Sequence, residues 1–241
     1  MNSPENFPMT AEVLHPASFA ADAARLILDS ARQAIAGRGI FRIALSGGRT
    51  PVPVFKQWAA TAGDLPWDRV QVTFGDERCV PPDDEQSNYL MARRSLLDHV
   101  PIPPGNVFRI QGELPPAEAA AEYDARLAQL ASRFGEPRYR HDLLLLGMGP
   151  DGHTASLFPG TEALSEKTRN VVHNFVPKFN TYRVTFTYPL LNAARHVCFL
   201  VEGDDKKPIV AQILAGAADY PAARVQPTDG RLTWLLGWPA E

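Results

Sequence analysis

Asp151 and His153 stand one glycine apart in the stretch Gly147-Met148-Gly149-Pro150-Asp151-Gly152-His153. Glycine and proline are enough to turn a chain, so the carboxylate and the imidazole are not needed for the turn. Histidine titrates near pH ~6.5 and can take up a proton at neutral pH. A neighbouring carboxylate can fix its tautomer and stabilise the cation that forms. Asp-Gly is also a common turn dipeptide, so a surface turn with a solvated histidine is the competing reading. Position favours chemistry, because the pair follows the most apolar run of the chain, within residues 142–148.

Three further places carry candidate chemistry. Residues 44–51, Ala-Leu-Ser-Gly-Gly-Arg-Thr-Pro, end an apolar run and open a helical pattern. Ser46, Gly47, Gly48, Arg49 and Thr50 would face a helix N-terminus, with Thr50 as cap and Pro51 at the first position. Such a terminus is an anion site, or else a plain strand-to-helix turn. The loop is neither a Walker A loop nor a GxGxxG fingerprint. Asp76, Glu77 and Arg78 follow residues 70–75, either as a solvated rim or as site residues. Arg183 and Lys206 are each read first as surface charges. Together with an anion loop they could grip a phosphate, the arginine with its planar fork and the lysine as a point charge.

The elements needed to position these residues are legible in the pattern. Helices are expected over 17–36, 51–60, 87–100 (Ser87 as cap), 117–134 and 206–216. Strands are expected over 41–46, 70–75, 142–148, 170–176, 183–188 and 196–202, with 232–237 a strand or short buried segment. Strand–helix alternation with continuous apolar strands predicts an α/β fold. The expectation is a mostly parallel, Rossmann-like sheet flanked by helices on both faces. The adjacent segments 170–176 and 183–188 should form a small antiparallel addition. In such sheets ligands bind beyond the carboxyl ends of the strands, where the first three places and Lys206 lie, while Arg183 starts a strand.

A chain of 241 residues suits one domain, 1–241. A net charge of −3 with scattered basic residues gives no reason to expect nucleic acid. No apolar stretch approaches the ~20 residues of a membrane span, and residues 1–16 do not read as a signal peptide, so a cytoplasmic location is expected. Cys79 and Cys198 have no zinc-ligand spacing and read as two buried thiols. The remaining histidines, His15, His99, His141, His173 and His196, share no spacing and read as surface or satisfied interior residues.

Taken together, Leu45–Pro51, Gly75–Tyr89, Leu143–Gly160 and Arg183–Lys207 resemble the glucosamine-6-phosphate isomerase/6-phosphogluconolactonase family. They do so in order and at matching separations, and the second and third favour its lactonase branch. The resemblance implies hydrolysis of 6-phosphoglucono-δ-lactone to 6-phosphogluconate, the second step of the oxidative pentose phosphate pathway. It implies no cofactor and no required metal. It makes His153 the catalytic histidine, Asp151 its acidic partner, and Asp76 and Arg78 the strand-end pair. Residues 46–50, Arg183 and Lys206 become the phosphate site. A small sugar-phosphate lactone is the expected partner, and the chain is expected to be a monomer or weak homo-oligomer.

Two departures matter. The deaminases of the family carry a glutamate where this chain has Phe158, which cannot do acid/base work. Arg49 replaces a residue that is often small and hydroxylated, and would either add charge to the phosphate site or point away. The alternatives are a glucosamine-6-phosphate deaminase-like isomerase, disfavoured by Phe158, and a non-catalytic sugar-phosphate sensor. A sensor of the regulator type would need a DNA-binding module, for which there is no room before residue 12 and no basic region.

Overall fold

The apolar runs build the centre of a parallel sheet. The computed structural model describes residues 11–217 and 219–240. Most of the stretch read as lacking a signal peptide, residues 1–10, lies outside the described residues. In chain order the elements are β1 (Glu12–Leu14), α1 (Phe19–Arg38), β2 (Phe41–Leu45), α2 (Pro51–Thr61), β3 (Val70–Phe74), β4 (Asp76–Arg78) and α3 (Asn88–Ser95). There follow α4 (Pro116–Ser132), β5 (Leu143–Leu146), β6 (Val171–Val176), β7 (Thr181–Phe186), α5 (Tyr188–Leu191), β8 (His196–Val201), α6 (Lys207–Leu214) and β9 (Arg231–Leu236).

Six strands form one parallel sheet in the order β1-β9-β8-β5-β2-β3. Every residue of β2, β5 and β8 is buried, so both faces at the sheet centre are covered. This is why those strands read as unbroken apolar runs rather than alternating ones. α1 buries Ala23, Ala24, Ile27, Leu28, Ala31 and Ala34, a stripe at helical spacing, and packs against α2. Its end is set by Gly39, at φ 76°, whose N–H donates to the Ile35 carbonyl.

The expected antiparallel addition is a second sheet, β4-β7-β6. α4 packs against β6 and β7. Gly75 joins the two sheets: its N–H donates to Leu45 O (3.0 Å), and its carbonyl accepts from Phe186 N (2.8 Å).

Several expected boundaries change. The helix expected over 87–100 ends at Ser95, because Leu96 leaves helical geometry (φ −139°, ψ −63°) and a 3-10 turn, Leu97–His99, follows. Ser87 does cap it, accepting from Leu90 N at 3.1 Å. The helix expected from 206 starts as a 3-10 turn, Asp204–Lys206, before α6. Arg183 lies within β7 rather than at its start, and Tyr188 belongs to the short helix α5. β4, outside the expected strands, is a strand because β7 supplies its pairing. β1 was not anticipated either; it is three residues long and largely exposed. Both thiols are free, but Cys79 is only partly buried. His141 and His196 are buried with threonine partners, Thr73 at 2.8 Å and Thr233 at 2.9 Å. No described helix is long and apolar enough to cross a membrane.

Candidate active site

The loops beyond the carboxyl ends of β2, β3, β5 and β8 enclose a cleft of about 720 Å³. Ser46, Gly47, Gly48, Arg49 and Thr50 line it, with Asp76, Arg78, His153 and Lys206. Asp151 and Arg183 do not line it, but each touches or faces a residue that does.

His153 Nδ1 lies 2.5 Å from Asp151 Oδ1. Burial works to raise the Asp151 pKa, but hydrogen bonds from His153 and Lys178 outweigh it and hold the carboxyl at about 2. An ionised carboxylate only accepts hydrogen bonds, so Nδ1 carries the proton. In the neutral ring Nε2 then keeps its lone pair. The other face of the pair is apolar: the Phe158 ring stacks on the imidazole, centroids 4.0 Å apart and 20° from parallel. The loop is tied by Gly149 N to His153 O (3.0 Å) and by Thr154 Oγ1 to Gly147 O (2.8 Å). A Cβ at Gly149 would lie 2.0 Å from the His153 ring, so only glycine allows this close approach.

β4 sorts its three charges by strand alternation. Asp76 and Arg78 meet the cleft. Glu77 turns away and accepts from Asn88 N (2.7 Å), Tyr89 N (2.8 Å) and Ser87 Oγ (3.0 Å), closing the N-terminus of α3. Desolvation nevertheless pushes the Glu77 pKa up. Asp76 is fixed on both oxygens, accepting from Ser156 Oγ at 2.7 Å and Asn88 Nδ2 at 3.2 Å.

Arg78 is directly opposite Arg183 in the β4–β7 register. Arg78 donates to the Gln86 carbonyl, and the Nε atoms of both arginines are buried without a hydrogen-bond partner among the described residues. Desolvation, then the Arg78 charge, pushes the Arg183 pKa down. Two guanidinium groups facing each other repel, and an anion between or beside them would offset that repulsion.

The glycine loop departs from expectation at Thr50, which is in helical conformation and makes no capping bond with its side chain. α2 still begins there with Pro51 at its first turn and its N-terminus towards the cleft. Ser46 Oγ is buried and has no hydrogen-bond partner among the described residues. Arg49 is exposed and lines the cleft, so its charge adds to the basic set. Lys206 lines the cleft as well, whereas Lys207 pairs with Asp204 at 2.7 Å.

Asn88, Ser156 and Lys178 escaped sequence reasoning. Asn88 and Ser156 lie inside the quoted motifs, where their spacing from Asp76 and His153 could have flagged them. Lys178 comes from a different hairpin and carried no local signal. Its Nζ lies 2.9 Å from Asp151 Oδ2.

Residues 15–234 match the profile of the family described as Glucosamine-6-phosphate isomerases/6-phosphogluconolactonase. The chain belongs to this family. Among its relatives, the 6-phosphogluconolactonase of Nostoc sp. is 46% identical over 216 residues, covering 88% of each chain. The human 6-phosphogluconolactonase is 40% identical over 220 residues, covering 88% of this chain and 84% of its own. The solved 6-phosphogluconolactonase of Trypanosoma brucei superposes with a TM-score of 0.84 at 30% identity, over 95% of this chain and 96% of its own. Membership of the glucosamine-6-phosphate isomerase/6-phosphogluconolactonase family thus agrees with the fold, which superposes on the solved lactonase over nearly its whole length.

Proposed function

We propose that this chain hydrolyses 6-phosphoglucono-δ-lactone to 6-phosphogluconate, with His153 as general base and no metal in the chemistry. The observation that carries the reading is the Asp151-oriented imidazole on the wall of a cleft that also holds Arg49, Arg78 and Lys206. The similarity to named lactonases supports the substrate.

The phosphate docks on residues 47–50, aided by Lys206 and Arg183. That places the lactone over the 147–153 loop. His153 takes a proton from water, and the water oxygen attacks the lactone carbonyl. Arg78 and the N–H groups of the glycine-rich loops stabilise the oxyanion. His153 then returns the proton to the ring oxygen as the ring opens. Asp76, held by Ser156 and Asn88, orients sugar hydroxyls or Arg78. Phe158 offers no proton, which disfavours the isomerising deamination carried out elsewhere in the family. The reaction is read as the second step of the oxidative pentose phosphate pathway, carried out in the cytoplasm by a monomer or weak homo-oligomer. The substrate is a small molecule, and neither nucleic acid nor a membrane takes part.

The test is hydrolysis of freshly generated lactone by wild type and His153→Ala, with the spontaneous rate subtracted. General base catalysis contributes about 10²–10⁴-fold, so the variant is expected to fall by that factor while staying folded. Equal turnover in the two proteins would sink the assignment. Wild-type turnover at background, with ammonia released from glucosamine 6-phosphate, would favour the deaminase instead.

A further inference from the structure

Lys178 sits at the tip of the β6–β7 hairpin, in the 3-10 turn Pro177–Phe179. Asn180 closes that turn in the left-handed region (φ 47°), and its N–H donates to Pro177 O at 3.1 Å. The tip delivers two groups to the catalytic pair. Lys178 Nζ donates to Asp151 Oδ2 (2.9 Å), while Oδ1 of the same carboxylate bonds His153 Nδ1 (2.5 Å). Phe179 packs edge-on against Phe158 at 5.7 Å, and Phe158 in turn stacks on His153. Lys178 does not line the cleft, and its side chain is 53% exposed; its hydrogen bond to the site is the one to Asp151, with Nζ also 5.6 Å from the centre of the Phe179 ring.

We infer that Lys178 is a positioning residue for His153, and that its charge on the far oxygen of Asp151 limits how strongly that carboxylate stabilises the imidazolium. The inference rests on the general-base reading of His153. A carboxylate beside a histidine favours the protonated ring, which cannot act as a base. A cation on the same carboxylate offsets that bias and holds both oxygens in place. The other groups on this side of the molecule are the neutral Phe158 ring against His153, Arg183 over the Phe179 ring and, along the cleft, Arg49, Asp76, Arg78, Glu202, Asp205 and Lys206. None of them is altered by substituting Lys178.

Because Lys178 is half exposed, its effect is screened, and the expected shift is roughly 0.5–1 pH unit. The experiment compares wild type, Lys178→Met and Lys178→Arg. The His153 imidazole is titrated by NMR, its resonance assigned with His153→Ala, and the pH profile of kcat/KM is recorded. In Lys178→Met the imidazole midpoint and the acid limb of kcat/KM should both move upward by that amount, and Lys178→Arg should restore both. An unmoved midpoint in Lys178→Met would overturn the inference. A moved midpoint in proteins that hydrolyse no lactone would sustain the placement of Lys178 and overturn the reaction alone.

Discussion

Arg78 and Arg183 face each other across neighbouring antiparallel strands, and the Nε of each is buried without a hydrogen-bond partner among the described residues. Directly opposed like charges destabilise a sheet by some tenths of a kcal/mol to about 1 kcal/mol. The fold keeps this pair beside the cleft, where an anionic substrate would relieve it.

Arg183→Ala should therefore raise KM for the lactone, with kcat little changed, because it removes binding common to ground and transition states. In phosphate-free buffer the same variant should unfold no earlier than wild type, and inorganic phosphate should stabilise it less. A kcat defect at unchanged KM would give Arg183 a chemical role instead.

Asp151 makes stability depend on acid pH. Its folded pKa of about 2 is below the unfolded value near 3.9. The unfolded chain thus takes up the proton first as pH falls. The stabilisation is complete above pH ~4 and is lost as pH drops through about 2. Thermal unfolding of wild type and Asp151→Asn should differ by about 1 kcal/mol near neutrality, after discounting for solvent screening, and converge towards pH ~2.

Ser156→Ala removes the 2.7 Å donor to Asp76 and leaves a buried carboxylate short of one partner. Hydrogen bonds to charged groups contribute about 1.5–3 kcal/mol, so denaturant unfolding should show a loss in that range. Turnover should fall too, since Asn88 is then the remaining described partner of the Asp76 carboxylate. Unchanged kcat/KM in a destabilised protein would confine Ser156 to structure.

Gly47→Ala would place a Cβ 2.1 Å from the Asn88 side chain. Asn88 must then shift, and it is bonded to Asp76. Overpacking of this kind costs about 1–3 kcal/mol. The expected outcome is a higher KM together with lower stability, read from steady-state kinetics and a urea titration.

The sequence by itself pointed to the parallel sheet, since short unbroken apolar runs such as Leu143–Leu146, alternating with helical patterns, suit strands buried on both faces. It also determined the positions of His153, Asp151 and the glycine loop, because each sits where such a strand must end. Tertiary structure alone decided the rest. Asp76–Arg78 became a strand only because β7 offered a partner, and that pairing set Arg78 against Arg183. Lys178 reached Asp151 from 27 residues away along the chain, by way of a hairpin tip. Such contacts depend on how separate segments dock, and no local periodicity, cap or turn residue encodes the distance between them.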